Sequence, residues 1–209
     1  RRKNAEATKR SILEAAGRLF ASRGYDAVTM REIAKAAGCS HTTIYLYFKD
    51  KLDLLQQMAI PPLQQLEAEF AGIMGQAQLS PLETLQALSR AFVVFCLTHK
   101  SLFFIFLGAK AGRVDEAEPE LAVNRLRNRL FGHLLQAWRN NLPALSENEA
   151  LNTARIYFYT LHGLIRTYMD SEEPLEGLLE RVLPILDEAA ELLLNGVRAK
   201  KCEAKGEPA

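Results

Sequence analysis

Residues 28–51, VTMREIAKAAGCSHTTIYLYFKDK, decide how the chain is read, because three helix starts and one tight turn fall inside this stretch. Thr29 is a good N-cap, and Glu32, at the third helical position, can return its carboxylate to the Thr29 backbone N–H. Val28 and Ile33 flank the pair as a hydrophobic staple. A helix therefore begins at Met30 and runs through Ala37, where Gly38 supplies the left-handed residue that stops it. Ser40 caps a second helix two residues later, with Cys39 and Ile44 in the staple positions. Two short helices across so tight a glycine-containing turn make a helix-turn-helix.

The second helix is expected over residues 41–48. Ile44 and Phe48, four apart, share one face and can pack on the first helix, while His41, Thr42, Thr43, Tyr45 and Tyr47 place imidazole and hydroxyl groups largely elsewhere. Such groups hydrogen-bond base edges or phosphates. Asp50 caps a third helix. Lys51 and Arg31 both stand at helix starts, where the dipole disfavours a cation. A polyanion docked against both N-termini would satisfy the orphan N–H groups and the cations together.

At these positions the chain resembles the TetR family of bacterial transcriptional regulators. Its pattern, T-x-x-x-I-A-x-x-A-G-x-S followed by x-x-T-h-Y-x-H/Y-F-x-x-K with h apolar, is met by Thr29, Ile33, Ala34, Ala37, Gly38, Ser40, Thr43, Ile44, Tyr45, Tyr47, Phe48 and Lys51. Carried over position by position, the resemblance puts DNA contacts on Arg31, His41, Thr42, Thr43, Tyr45, Tyr47 and Lys51. Thr42 stands where many members have Gly or Pro. The motif covers the first quarter of the chain, and the remainder resembles the family in its helical layout.

The 209 residues suit one domain with a small appended one, and 48% of them are apolar, which excludes disorder as the class. No apolar run reaches membrane-spanning length and the basic start lacks a signal-peptide core, so a soluble cytoplasmic protein is expected. Cys39, Cys96 and Cys202 are too scattered for a metal cluster or a disulfide framework. The net charge of +1 hides an asymmetry: through Lys51, eleven Lys or Arg face five Asp or Glu, giving +6, and from Leu52 onward fifteen face twenty, giving −5. The anion-binding face is local.

A bracing helix over 5–22 precedes the motif. The helix from Lys51 meets Pro61 and Pro62, which remove two N–H donors, so a break or kink is expected near Ile60, with the domain boundary there: 1–60 for DNA binding, 61–209 for ligand binding and dimerisation. The proline pair either localises a ligand-driven motion or only steers the chain. Further helices are expected over 63–76, from a Ser80/Glu83 capping box to 99, over 102–109, from near Pro119 to Pro143, from a Ser146/Glu149 box to 170, and over 175–198. A polar tail over 200–209 follows. The sum is an all-α protein of about nine helices, with no strand alternation. The last two helices carry wide apolar surfaces that could cover their own domain and a second copy, which makes them the expected homodimer interface.

Catalytic signatures are missing: there is no G-x-S-x-G elbow, phosphate-cradling glycine loop, H-E-x-x-H or zinc-spaced Cys pair. An enzyme is not expected, nor a cofactor. His99, His133 and His162 come from three different helices, and no metal site is expected. The second domain is rich in bulky rings. Phe70, Phe92, Phe95, His99, Phe103, Phe104, Trp138 and Tyr157 either fill a core or line a pocket for a small apolar or aromatic effector. The resemblance favours the pocket, and with it a repressor released from a palindromic operator by its effector. The other course is a DNA-binding protein of the same fold controlled by a protein partner.

Overall fold

The computed structural model describes residues 2–100, 102, 116 and 118–205. Eight helices lie among them: α1 (Arg2–Arg23), α2 (Met30–Ala36), α3 (His41–Ile44), α4 (Lys51–Met74), α5 (Pro81–Thr98), α6 (Ala122–Asn141), α7 (Glu147–Tyr168) and α8 (Leu175–Lys205). No strand occurs among the described residues, so the all-α expectation holds. None of these helices is long and apolar enough to cross a membrane. The helix expected over 102–109, with Phe103, Phe104 and Phe106, lies outside the described residues apart from Leu102, which is buried.

Two compact units emerge. The first holds residues up to 65 together with 99–127, the second residues 66–98 with 128–209. In the first, α1 packs on α2 and α2 on α3. Ile12, Ala16 and Phe20 of α1, Ile33 of α2, Ile44 of α3 and Phe48 are all buried. The Ser11 hydroxyl donates to the Ala37 carbonyl at 3.2 Å and ties α1 to the end of α2.

Three expected boundaries are corrected. The helix does not break at the proline pair, because α4 runs through Pro61 and Pro62 without interruption. Each proline costs about 3 kcal/mol inside a helix, chiefly by leaving a carbonyl, here that of Gln57 or Met58, without its donor. Leu54, Leu55, Ala59 and Leu63 follow helical spacing on both sides of the pair and are buried, and about 2 kcal/mol for each leucine offsets that loss. The second helix of the motif is shorter than expected. It ends at Ile44, and Leu46 N–H and Tyr47 N–H bond three residues back, to Thr43 and Ile44 carbonyls, at 3.1 Å each. The tighter turn still brings Phe48 under Ile44, so the apolar spacing that suggested a full helix is met by a different backbone. Finally, α8 continues to Lys205, through much of the expected tail.

In the second unit α5 packs on α7 and α8, and α7 on α8. The Tyr157 hydroxyl donates to Ser89 Oγ at 3.0 Å, and Ser89 in turn donates to the Leu85 carbonyl at 2.7 Å. Arg90 grips both carboxylate oxygens of Asp187, joining α5 to α8. At the start of α7, Ser146 and Glu149 form the expected capping box, and Lys201 reaches Glu149 at 2.8 Å. The Ser80/Glu83 box is also present, with the Ser80 N–H donating to Glu83 Oε2 at 2.8 Å.

Candidate nucleic-acid interface

The reading element is built from its caps. Thr29 Oγ1 accepts from the Glu32 N–H at 3.3 Å, and Glu32 Oε2 accepts from the Thr29 N–H at 2.8 Å. Arg23, at the end of α1, donates to Glu32 Oε1 at 2.8 Å and to the Ala27 carbonyl at 3.0 Å, locking the loop before α2. The Thr29 hydroxyl, then Arg23 and the Thr29 N–H, hold the Glu32 carboxyl at about 2. The turn is fixed by Gly38 at φ +71°: its N–H bonds to the Lys35 carbonyl at 3.2 Å, and the Cys39 N–H to the Ala34 carbonyl at 3.0 Å. That pair is a Schellman closure, which requires the left-handed residue. Ser40 then accepts from the Thr43 N–H at 3.0 Å and starts α3.

This scaffold fixes which expected DNA contacts face outward. Arg31, on the first turn of α2, is exposed, as are His41, Thr42 and Tyr45, whereas Thr43, Tyr47 and Lys51 are half-buried. His41 and Tyr45 stack edge-on with ring centres 5.2 Å apart, so they form one polar ledge. Thr43 shares its hydroxyl with Ser40 at 2.7 Å and serves the cap as well as the surface. Ile44 and Phe48 are fully buried behind them.

Lys51 holds an unforeseen position. Its Nζ donates to the Tyr25 and Val28 carbonyls at 2.9 Å each and lies 4.3 Å from the centre of the Tyr25 ring. Two of its three N–H donors therefore brace the loop between α1 and α2. Burial, followed by Asp50 and Asp26, raises the Tyr25 hydroxyl pKa. Asp50 caps α4, accepting from the Asp53 N–H at 2.8 Å.

Sequence reasoning passed over Arg23 and Leu46. Arg23 finds its carboxylate nine residues on, across a loop, and no helical spacing announces such a pair. Leu46 occupies the free position of the motif and is 79% exposed.

Of the expected pocket residues, Phe70, Phe92, Phe95, Trp138 and Tyr157 belong to the second unit. Trp138 and Tyr157 are fully buried against each other, edge-on at 5.2 Å. Burial pushes the Tyr157 hydroxyl up, and Trp138 Nε1 finds no acceptor among the described residues. Phe92 lies 6.1 Å from Phe158, and Phe70 lies 6.1 Å from His133. Phe95 is half-buried. His99 is counted with the first unit, and Phe103 and Phe104 lie outside the described residues. A cavity of about 220 Å³ opens at the corner between α6 and α7, lined by residues 141–145 with Arg198, Lys201 and Cys202, and it contains none of the expected lining residues. No group of three or more His, Cys, Asp or Glu among the described residues is placed to hold a metal.

A capped helix-turn-helix with an outward polar ledge defines a DNA-binding protein. The family model described as bacterial regulatory proteins, tetR family, matches residues 12–58. The uncharacterized HTH-type transcriptional regulator YhgD of Bacillus subtilis (strain 168) is 33% identical over 180 residues, covering 71% of this chain and 93% of that protein. The HTH-type transcriptional repressor BepR of Brucella suis biovar 1 (strain 1330) is 29% identical over 185 residues, covering 83% and 87% of the two chains. Among solved structures, the ketosteroid transcriptional regulator KstR2 of Mycobacterium tuberculosis shares the fold at a TM-score of 0.68 and 22% identity, over 90% of this chain and 93% of that one. The chain belongs to the TetR family of transcriptional regulators, which are DNA-binding proteins and not enzymes.

Proposed function

We propose that the chain is a transcriptional repressor that binds a palindromic operator as a homodimer and leaves it when a small apolar or aromatic effector binds. Residues 1–60 read the DNA, and residues 61–209 hold the effector and the dimer contacts. The reading rests above all on the exposed ledge of Arg31, His41, Thr42 and Tyr45 in the part of the chain that carries +6. Arg31 and the remaining donor of Lys51 bind phosphates, and the ledge faces base edges in the major groove.

Several features support the rest. Ile156 and Tyr159 of α7 and Ile185 and Leu192 of α8 are more than half exposed, which suits a surface covered by a second copy. The buried Trp138 N–H, without an acceptor among the described residues, suits an effector that carries one polar atom in an apolar frame. BepR is a repressor by name, and KstR2 a ketosteroid regulator. Two reading heads must sit about 34 Å apart to enter successive major grooves, so an effector that alters their spacing releases the DNA.

Selection of bound sequences from random duplex DNA at two salt concentrations tests this. A palindrome should be enriched at both salts; weak, salt-sensitive binding with no enriched sequence would overturn the proposal.

A further inference from the structure

Leu46 is the most exposed of the large apolar side chains among the described residues, and its setting prevents it from turning inward. It lies in the tight turn after α3, where its N–H bonds to the Thr43 carbonyl and the next N–H to that of Ile44. Ile44 and Phe48, two residues to either side, are both fully buried, so a rotation that buried Leu46 would pull both out of the core. Its neighbours Tyr45 and Tyr47 carry hydroxyls, and Thr42, four residues earlier, is exposed with a methyl group of its own. An isobutyl group at this place can make no hydrogen bond to a base or a phosphate. The apolar feature of a major-groove edge is the C5 methyl of thymine.

We propose that Leu46, together with the Thr42 methyl, is a specificity-determining contact that packs on a thymine methyl in each half-site. The assignment rests on the DNA-binding reading above and names one base that the binding surface selects. His41, Tyr45 and Tyr47 supply polar contacts around it. Leu46 selects by burying apolar surface, which cytosine at the same position cannot offer.

The test uses the full-length protein and the operator recovered by selection. Each thymine is replaced, with its symmetry mate, by deoxyuridine, which removes the methyl and leaves every hydrogen-bonding group in place. One buried methyl corresponds to roughly four-fold in affinity. At one position the wild type should therefore lose about ten-fold or more for the symmetric pair. Leu46→Ala should lose most of this discrimination between the thymine and deoxyuridine operators, the Thr42 methyl keeping the remainder, and Thr42→Ser, which keeps the hydroxyl, should lose the smaller part of it. The thermal midpoint of Leu46→Ala should match the wild type, since the side chain is solvent-exposed. Selection with Leu46→Ala should relax the base preference at that position alone. Wild-type binding that is indifferent to deoxyuridine at every thymine, or a Leu46→Ala variant that keeps the wild-type sensitivity, would overturn the thymine contact while leaving DNA binding intact. A selection that enriches no sequence would overturn both.

Discussion

Glu32 joins three groups from two elements at one carboxylate: the Thr29 hydroxyl and N–H at the start of α2 and the guanidinium of Arg23 at the end of α1. Its folded pKa of about 2 lies below the ordinary carboxylate value, so its contribution to stability is complete above about pH 4.5 and is lost as the pH falls towards 2. Glu149, held at about 2 by Lys201 and by Ser146, titrates in the same window. The thermal midpoint of the wild type should fall through this range. Glu32→Gln should start lower at neutral pH and fall less, the two curves approaching each other near pH 2; parallel curves would contradict the linkage. Thr29→Ala should cost about 1 kcal/mol of stability at pH 7, measured by chemical denaturation. Lys51 behaves differently from the other expected DNA contacts. Lys51→Ala should lower both the denaturation midpoint and operator affinity, the stability loss being about 2 kcal/mol for two charged hydrogen bonds, whereas Arg31→Ala and Tyr45→Ala should lower affinity alone. The caps were legible because a capping box is written within four residues. The anchoring of Lys51 was not, because its carbonyl partners lie 23 and 26 residues away and any residue can supply a carbonyl.

At the scale of elements, periodicity identified which face of each helix is buried better than it identified where a helix stops. The turn after α3 and a full helix both place Phe48 behind Ile44, so the apolar spacing could not separate them. Proline chemistry suggested a break or kink in α4; the break is absent, because the outcome also depends on how much apolar surface a continuous helix buries on either side. Pro61 and Pro62 therefore sit as an internal weak point in α4. Replacing both by Ala restores two donors, for the Gln57 and Met58 carbonyls, and should raise the unfolding free energy from chemical denaturation by at least about 2 kcal/mol. Should the pair localise an effector-driven motion, the same variant will hold DNA at effector concentrations that release the wild type. Unchanged release with raised stability assigns the prolines to chain direction only.

For the whole molecule, a dimer face and a core face obey the same helical spacing, so the sequence pattern of the last two helices was compatible with either. Exposure tells only the outer rows from the inner ones. Ile185 and Leu192, seven residues apart on α8, and Ile156 and Tyr159, three apart on α7, lie on the outside of a unit whose inner rows, including Leu161, Ile165, Val182 and Leu186, are already buried. Such rows remain in water unless a second surface covers them, and a copy of the same two helices offers a matching one. The charge asymmetry read from the sequence then has a consequence: a dimer doubles the cationic reading surface presented to one duplex, and with it the number of phosphates neutralised. Ile156→Glu combined with Leu192→Glu places four carboxylates at the two-fold face. The variant should sediment as a monomer with wild-type helix content, bind the operator at least a hundred-fold more weakly, and show about half the wild-type slope of log affinity against log salt. Half the slope would mean that one reading head docks at a time. A variant that stays dimeric with an unchanged slope would move the interface away from α7 and α8.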